Sequence, residues 1–501
     1  MKRSYSFSPK SQKIVGPEVT QKLTPMALEH TRIHNENIVA ILDPKELINA
    51  WRFDGMAKYI YAKYREVGIE SDWALRLYCD NVRALNGYQE PDGSGKEGKT
   101  AFVEAFNRVL DSIKESGFDT RNFLVPMVND FLVDGGHRTV ACILYDCDIA
   151  ALLTTEIDEN NPPLPADYRY FEERAFNRIF SDAMALEYCR LKPNTYLVII
   201  EPSFRGKSQE IEEILKTQGR IYYEKDVFLW KSGMAHLSYH LALINGTEDK
   251  KPPRLGITRV YMFESETLEE AIAAKQKINA LGGYKSESVY LTQTHNQTLE
   301  LAELLLNDNS IRFLNRTQLN PSSPFHEQLT QYRQELEENK IDSEWVCLSD
   351  RAVLAAYGIR DCKQLDVLHK GFEQITQLMI ASSHNSQLPA NGLQKDDIIF
   401  NPEHYFYYAG LKFASLDTVI ALKQARKTPQ DLEDLQAIST FLNAQKSSRS
   451  QLDYAVQLAF SPWGIYWLKK QGNIFFKRLG RALLRRSQTL LANLNPNSRV
   501  G

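Results

Sequence analysis

No apolar run in the 501 residues approaches the roughly 18 needed to span a membrane as a helix. The Met1-Lys-Arg-Ser-Tyr5 start has no apolar segment behind it, which argues against a secretory leader. The expected compartment is the cytoplasm. Cysteine is scarce and scattered: Cys79, Cys142, Cys147, Cys189, Cys347 and Cys362 show no Cys-x-x-Cys spacing. That distribution argues against both a disulfide framework and a zinc ribbon. Net charge is nearly absent as well, at −3, so there is no general electrostatic case for nucleic acid and no nucleic-acid partner is expected.

What is present suits a globular protein, with 43% hydrophobic and 25% charged residues. The length exceeds one ordinary core and predicts two to four domains. Residues 1 to 25 are polar with scattered prolines, and little order is expected there. Helical spacing of apolar residues recurs over Glu46 to Tyr64, over Trp73 to Leu85, and through Phe102, Phe106, Val109 and Ile113. Asn160-Asn-Pro-Pro-Leu-Pro165 reads as a stiff linker, and Asn320-Pro-Ser-Ser-Pro324 as a second boundary. Between them, strand-like Tyr196 to Ile200, Val227 to Trp230, Val260 to Phe263 and Ser288 to Leu291 alternate with helices at Gln209 to Gln218, Leu268 to Leu281 and Thr298 to Leu306. The expected fold class is α/β (α+β), in several domains: 26–158, 166–318, 325–445 and a helical basic tail at 446–501.

Phe131-Leu-Val-Asp-Gly-Gly-His-Arg-Thr-Val-Ala-Cys-Ile-Leu-Tyr145 packs a strand, a two-glycine turn, a His-Arg pair and a helix start into fifteen residues. Gly135 and Gly136 permit backbone angles closed to other residues and close approach of a bound group. A helix starting at His137 to Thr139 turns its free N–H groups and positive dipole end toward that turn, beside an imidazole and a guanidinium. This arrangement favours an anion such as a phosphate. Asp134 adds a carboxylate for a metal ion or a proton. The competing reading is a tight turn whose polar side chains cap the helix and meet solvent.

Asp134-Gly-Gly-His-Arg138, with Val109-Leu-Asp-Ser-Ile-Lys-Glu-Ser-Gly117 and Phe123 to Val128 before it, resembles the ParB-like/sulfiredoxin-like domain over residues 70 to 157. In that family a helix ending in Ser-Ile-x-x-x-Gly leads through a strand into a Gly-x-His-Arg or Gly-x-Arg-Arg phosphate loop. The resemblance implies a bound nucleotide, ATP or another, with magnesium on Asp134. Family members include CTP-dependent DNA clamps, ATP-dependent sulfinic-acid reductases and free amino-acid kinases. The cysteine preceding His-Arg in the reductases is missing here, and Gly136 stands where the kinases carry their first histidine.

Gly93-Ser-Gly-Lys-Glu-Gly-Lys-Thr100 spells a phosphate-loop string. The motif requires a buried strand before its first glycine, and Gln89-Glu-Pro-Asp92 is not one. Lys96 and Lys99 remain either lysines of a solvated loop or contacts to phosphates bound at the Asp134 turn. In the middle block, Thr292-Gln-Thr-His295 lies past a strand end, where ligands of α/β sheets bind. His295 as a solvent-facing first-turn residue is the competing reading. Ser286 to His295 and Leu304 to Asn315 make this block similar to a middle domain of uncharacterised proteins of bacterial surface-polysaccharide loci, with Tyr290 and Asn279 in place of the histidine and arginine expected there.

Gly358-Ile-Arg-Asp-Cys-Lys-Gln-Leu-Asp-Val-Leu368 resembles the nucleotidyltransferase-like signature over residues 343 to 440. That chemistry needs two carboxylates alternating on one strand to hold two magnesium ions. Here Gln364 replaces the first, Asp366 remains, and Ser349-Asp350 stands for Gly-Ser, so a degenerate site is expected. Lys423, Arg426, Asp431 and Asp434 fit the downstream helix, either as a phosphate contact through Lys423 or as a salt-bridge ladder. After Asp453 no further acid occurs, while Lys469, Lys470, Lys477, Arg478, Arg481, Arg485 and Arg486 alternate with aromatic and aliphatic residues. Such a tail suits an anionic membrane surface, at the inner face of the cytoplasmic membrane, or a partner protein.

These readings point to a nucleotide-dependent phosphotransferase acting on a small hydroxyl-bearing or sugar-like substrate, with the resemblance implying a place in surface-polysaccharide biosynthesis. Asp134, His137 and Arg138 are its expected catalytic residues, with Gly135, Gly136, Thr139, Lys96 and Lys99 about the phosphates. Glu90 and Asp92 are the acids near enough in sequence to serve as general base. The rivals are a non-catalytic nucleotide switch or scaffold, and a ParB-like DNA-binding regulator.

Overall fold

The computed structural model describes residues 12–446, except 91–95, 155–164, 175, 202–203, 205, 246–255, 283–288, 319, 321–322, 372–380, 386–387 and 389–392. The expected linker at 160–164, Asp92, the first residues of the glycine-rich string and the basic tail lie outside the described residues. The chain divides into two compact units, Met1–Ile438 and Ser439–Gly501.

The first unit is built on three sheets among its described residues. In the first, β1 (Gln12–Val15), β2 (Glu36–Leu42), β3 (Val125–Val128), β4 (Phe131–Leu132) and β5 (Ile149–Thr154) run in the order β1-β2-β5-β3-β4. β3 and β5 are parallel and the other pairs antiparallel. The strand β1 and the helix Gly16–Lys22 correct the expectation of little order before residue 26. Val19 and Leu23 are buried against Val39, Leu124 and Leu152, and removing that apolar surface from water is what orders the segment. The single helix expected over Glu46 to Tyr64 is three pieces: Pro44–Leu47, a 3-10 turn Ala50–Arg52, and Gly55–Glu66. Asp43 starts the first piece and Asn49 the second by capping, their side chains accepting from the N–H groups of Lys45 and Trp51.

In the second sheet, β6 (Thr195–Ile200), β7 (Arg220–Leu229), β8 (Gly256–Glu264) and β9 (Val289–Leu291) are ordered β7-β8-β6-β9 and antiparallel throughout. Helices Ser208–Gln218 and Leu268–Leu281 bury Ile211, Leu215, Ala274 and Ile278 on it. The third sheet joins β10 (Val346–Ser349), β11 (Leu365–His369), β12 (Ala381–Ser383), β13 (Tyr405–Tyr408) and β14 (Leu411–Ala414) in the order β12-β11-β10-β14-β13, with parallel and antiparallel pairs. The mixture of helices and sheets agrees with the expected α/β class.

The three blocks are bonded to one another across the sequence. Ser71 Oγ donates to Asp397 at 2.6 Å and Tyr64 Oη to the Phe400 carbonyl at 3.1 Å. Asn309 Nδ2 reaches the carbonyls of Pro402, Glu403 and Tyr405 at 3.1 to 3.2 Å. No described helix is long and apolar enough to cross a membrane.

Candidate functional site

The hairpin β3–β4 delivers the two-glycine turn. Asn129 takes the left-handed backbone at φ 55°, and the Val133 N–H bonds the Pro126 carbonyl at 3.0 Å, so the chain leaves the sheet edge at Asp134 in a set direction. Gly135 then has φ 85°, a conformation that disfavours any side chain. The helix begins at Gly136 and runs to Leu144, one residue ahead of the expected start. A Cβ added to Gly136 would meet Arg52 Nη2 at 2.9 Å and Lys58 Nζ at 3.9 Å. Two cations therefore lie beneath the helix N-terminus.

Neither Arg52 nor Lys58 belongs to a recognisable motif. Arg52 is oriented by Asp54, at 2.8 Å from Nε and 3.0 Å from Nη2, and by the Leu132 carbonyl at 2.7 Å. Lys58, one helical turn beyond Asp54, bonds the same carboxylate. Burial pushes the Asp54 carboxyl up, yet the two cations outweigh it and hold it well below the usual carboxylate range. The only signal in the sequence was an Arg-x-Asp-x-x-x-Lys run on a helix start, which elsewhere is an ordinary surface ladder.

A cavity of about 130 Å³ lies over this turn, lined by Asp134, Gly135, Gly136, His137 and Arg138, with Lys96 and Glu90 opposite. The expected residues Asp134 to Arg138 and Lys96 are thus gathered at one place. Thr139 and Lys99 are not. Thr139 is buried, its hydroxyl donating to the Gly135 carbonyl at 3.1 Å within the helix. Lys99 is exposed on the first turn of the helix Gly98–Ser116, away from the lining. Lys96 sits 2.8 Å from Glu90 and 5.3 Å from the centre of the Phe102 ring. The element preceding the glycine-rich string is the helix Trp73–Asn86 and not a strand, so the string lacks the scaffold of a phosphate loop.

His137 packs 4.5 Å from the Phe106 ring, and its Nε2 lies 3.0 Å from Tyr78 Oη. Burial, with Lys58 and Lys96 nearby, holds its pKa well below the usual imidazole value, so the ring is a neutral hydrogen-bonding group. The Arg138 guanidinium stacks 4.2 Å from the centre of the Phe123 ring. Asp134 accepts a hydrogen bond from the Thr24 hydroxyl, which also caps the helix Pro25–His30. Asp134 and Glu90 are the two carboxylates lining this cavity, Glu90 paired with Lys96. Among the described residues no three His, Cys, Asp or Glu side chains are disposed to hold a metal by themselves.

The expected degenerate transferase site is closed by ion pairs. Asp366, on β11 opposite Ser349, accepts from the Arg351 backbone N–H at 3.0 Å, from its guanidinium, and from His384 Nε2 at 2.9 Å. Burial pushes the Asp366 carboxyl up; the Arg351 and His384 bonds outweigh it and hold it at about 2. Gln364 Nε2 turns to the Ala381 carbonyl at 3.4 Å. Lys423 is buried among Asp350, Asp431 and Asp434, and Arg426 adds bonds to Asp350 and Asp431. These residues were expected on one helix and occupy two, Leu416–Arg426 and Pro429–Lys446, parted at Lys427 with φ 56°.

Thr292 to His295 follow β9, the edge strand of the antiparallel second sheet. Thr292 is buried, accepting from the Leu197 N–H at 2.8 Å and sharing a hydrogen bond with Thr298. His295 opens the helix His295–Leu305.

Fold and site together define a multi-block α/β protein with a cation-backed cavity at a helix N-terminus. No family model matches the chain, and neither does any curated protein or solved structure.

Proposed function

We propose that the chain is a nucleotide-dependent phosphotransferase that seats the phosphates of ATP or another nucleotide at the N-terminus of the helix Gly136–Leu144. The observation carrying this reading is a cavity at the helix N-terminus lined by Gly135, Gly136, His137, Arg138 and Lys96, with Arg52 and Lys58 packed behind Gly136. A cavity of about 130 Å³ takes a phosphate group but does not enclose a nucleotide, so base and ribose lie across its mouth. Asp134 would hold magnesium, which would supply charge neutralisation for the phosphates. The neutral His137 hydrogen-bonds the transferred phosphoryl group, and Arg138 offsets its charge. Glu90 is the described acid placed to take the proton of an attacking hydroxyl, on a small or sugar-like acceptor. The basic segment Trp463 to Arg486 adds docking on an anionic membrane face or a partner protein to the proposal.

Titration calorimetry of the full chain with ATP, CTP and ADP, followed by a search for phosphorylated product, tests this. Arg138→Ala is expected to weaken binding by about tenfold or more, the loss of a charge-assisted phosphate contact. Wild-type chain that binds none of the three nucleotides ends the proposal.

A non-catalytic nucleotide switch is the second reading, favoured by the third block. There Asp366, Asp350 and Asp431 are all paired with protein cations where a transferase would present carboxylates to metal. Binding without turnover selects it, and tight binding to DNA alone selects a ParB-like regulator over both.

A further inference from the structure

The helix Gly136–Leu144 ends in a turn built around two cysteines. The Tyr145 N–H bonds the Ala141 carbonyl at 3.0 Å, Asp146 takes the left-handed backbone at φ 49°, and the Cys147 N–H returns to the Cys142 carbonyl, also at 3.0 Å. This closure is a Schellman helix end, in which the side chains three positions inside the helix and two beyond it come into contact. Such a contact is ordinarily made by two apolar residues. Here it is made by two thiols, and Cys142 and Cys147 share a hydrogen bond between their sulfurs.

The turn suits a covalent bond between them. A disulfide needs Cα atoms roughly 4.4 to 6.8 Å apart and side chains that converge. The backbone bond from Cys147 to Cys142 brings the two residues side by side, and their sulfurs already meet. Both are reduced in this structure. Cys147 is half-buried and can be reached from water, whereas Cys142 is buried behind it. An oxidant arriving from solvent therefore meets Cys147 first.

The other four cysteines have different surroundings. Cys189 meets the Thr195 hydroxyl at 3.3 Å, Cys347 donates to the Leu348 carbonyl at 3.7 Å, and Cys362 donates to the Gln364 carbonyl at 2.7 Å. Cys79, on the helix Trp73–Asn86, lies near Tyr61, Tyr78 and Tyr88. Burial pushes all four of these thiols up, away from the reactive thiolate.

We propose that Cys142 and Cys147 are a reversible oxidation site, closed to a disulfide by hydrogen peroxide and reopened by a dithiol. The Cys147 thiolate attacks one peroxide oxygen, the O–O bond breaks, and water leaves a sulfenic acid on Cys147. The Cys142 sulfur then attacks the Cys147 sulfur, the S–S bond forms, and the hydroxyl departs with the Cys142 proton as a second water. Two thiols and one peroxide thus give one disulfide and two waters. A dithiol returns the two electrons and becomes a disulfide itself. The closed bond ties the end of the helix Gly136–Leu144 to the residues that lead into β5. It does so whether or not a nucleotide binds at the other end of that helix.

Mass spectrometry of the folded full chain after hydrogen peroxide tests it, with free thiols alkylated before digestion. Trypsin leaves both cysteines on one peptide, residues 139 to 169. That peptide is expected to lose two hydrogens and resist alkylation, and to regain both thiols in dithiothreitol. Amide exchange over Tyr145 to Cys147 is expected to slow about tenfold in the oxidised chain, because the turn can no longer open. Cys142→Ala should halt the reaction at the Cys147 sulfenic acid, captured as a single dimedone adduct, while Cys362→Ser should leave the disulfide unchanged. Circular dichroism confirms that both variants fold. A Cys142 that stays alkylatable in the wild type while Cys147 passes on to sulfinic acid overturns the proposal. So does a disulfide that forms only in urea, or one that joins either cysteine to another part of the chain.

Discussion

His137 and Asp366 show how partners set the protonation of a side chain. His137 is enclosed by Phe106 and Tyr78 and faces Lys58 and Lys96, all of which penalise a second proton. The imidazole is therefore expected to stay neutral at pH values where a free imidazole is protonated, as read from its ring nitrogen shifts by NMR. Titration near the ordinary value of about 6.5 would mean that the ring is open to water. Asp366 is the opposite case. Its folded pKa of about 2 lies below the value near 4 of an unfolded chain. The folded state then binds the proton less readily, so the stabilisation is complete above about pH 4 and is lost as pH falls through about 2. The difference is worth about 2 kcal/mol, and urea titrations of wild type and Asp366→Asn should differ by that much in their acid slope.

The turn from β4 into the helix Gly136–Leu144 depends on two glycines for different reasons. Gly135 holds φ 85°, and an alanine there takes on strain of about 1–2 kcal/mol. Gly136 has an ordinary helical backbone, but its missing side chain leaves room above Arg52. Gly135→Ala is thus expected to lower stability in urea unfolding. Gly136→Ala is expected to displace the Arg52 guanidinium and to weaken nucleotide binding about tenfold with a smaller loss of stability. Equal effects of both variants on stability and binding would contradict that division. Helix ends elsewhere follow local chemistry: Thr267, Thr294, Ser323 and Ser415 each accept from an N–H three residues on. Of these the Thr267 end was legible from the chain alone, as was the apolar face of Gly98–Ser116, whereas the helix expected from Thr298 begins at His295. Strand direction was not. The alternation of strands and helices between 195 and 305 fits parallel or antiparallel pairing equally, and the antiparallel sheet rests on the pairing of β8 with both β6 and β7.

Across the unit Met1–Ile438, the blocks meet on Arg190. From the helix Arg178–Leu191 it reaches Glu303 at 3.1 Å, Glu344 at 2.9 Å and Tyr407 Oη at 3.2 Å, on three further elements. Arg190→Ala leaves these carboxylates largely buried without their shared cation, at an expected cost of about 3–5 kcal/mol. The wild type is expected to unfold in one transition and the same variant in two, because the second and third blocks lose a common partner. A calorimetric trace that stays single, at unchanged temperature, would show that Arg190 is not a joint.

Short-range physics alone determined the positions of most helices and strands, the two-glycine turn and the placement of a helix N-terminus behind it. Periodicity, capping and glycine freedom act over a few residues and can be read without the rest of the chain. What only the tertiary structure decided is which polar groups meet. Arg52 and Lys58 reach Gly136 from about eighty residues earlier in the chain, Asp366 is taken by Arg351 and His384, and Trp73 is left without an acceptor. Each of these depends on packing between distant segments, where apolar burial fixes the backbone and the polar side chains find partners that no local spacing encodes.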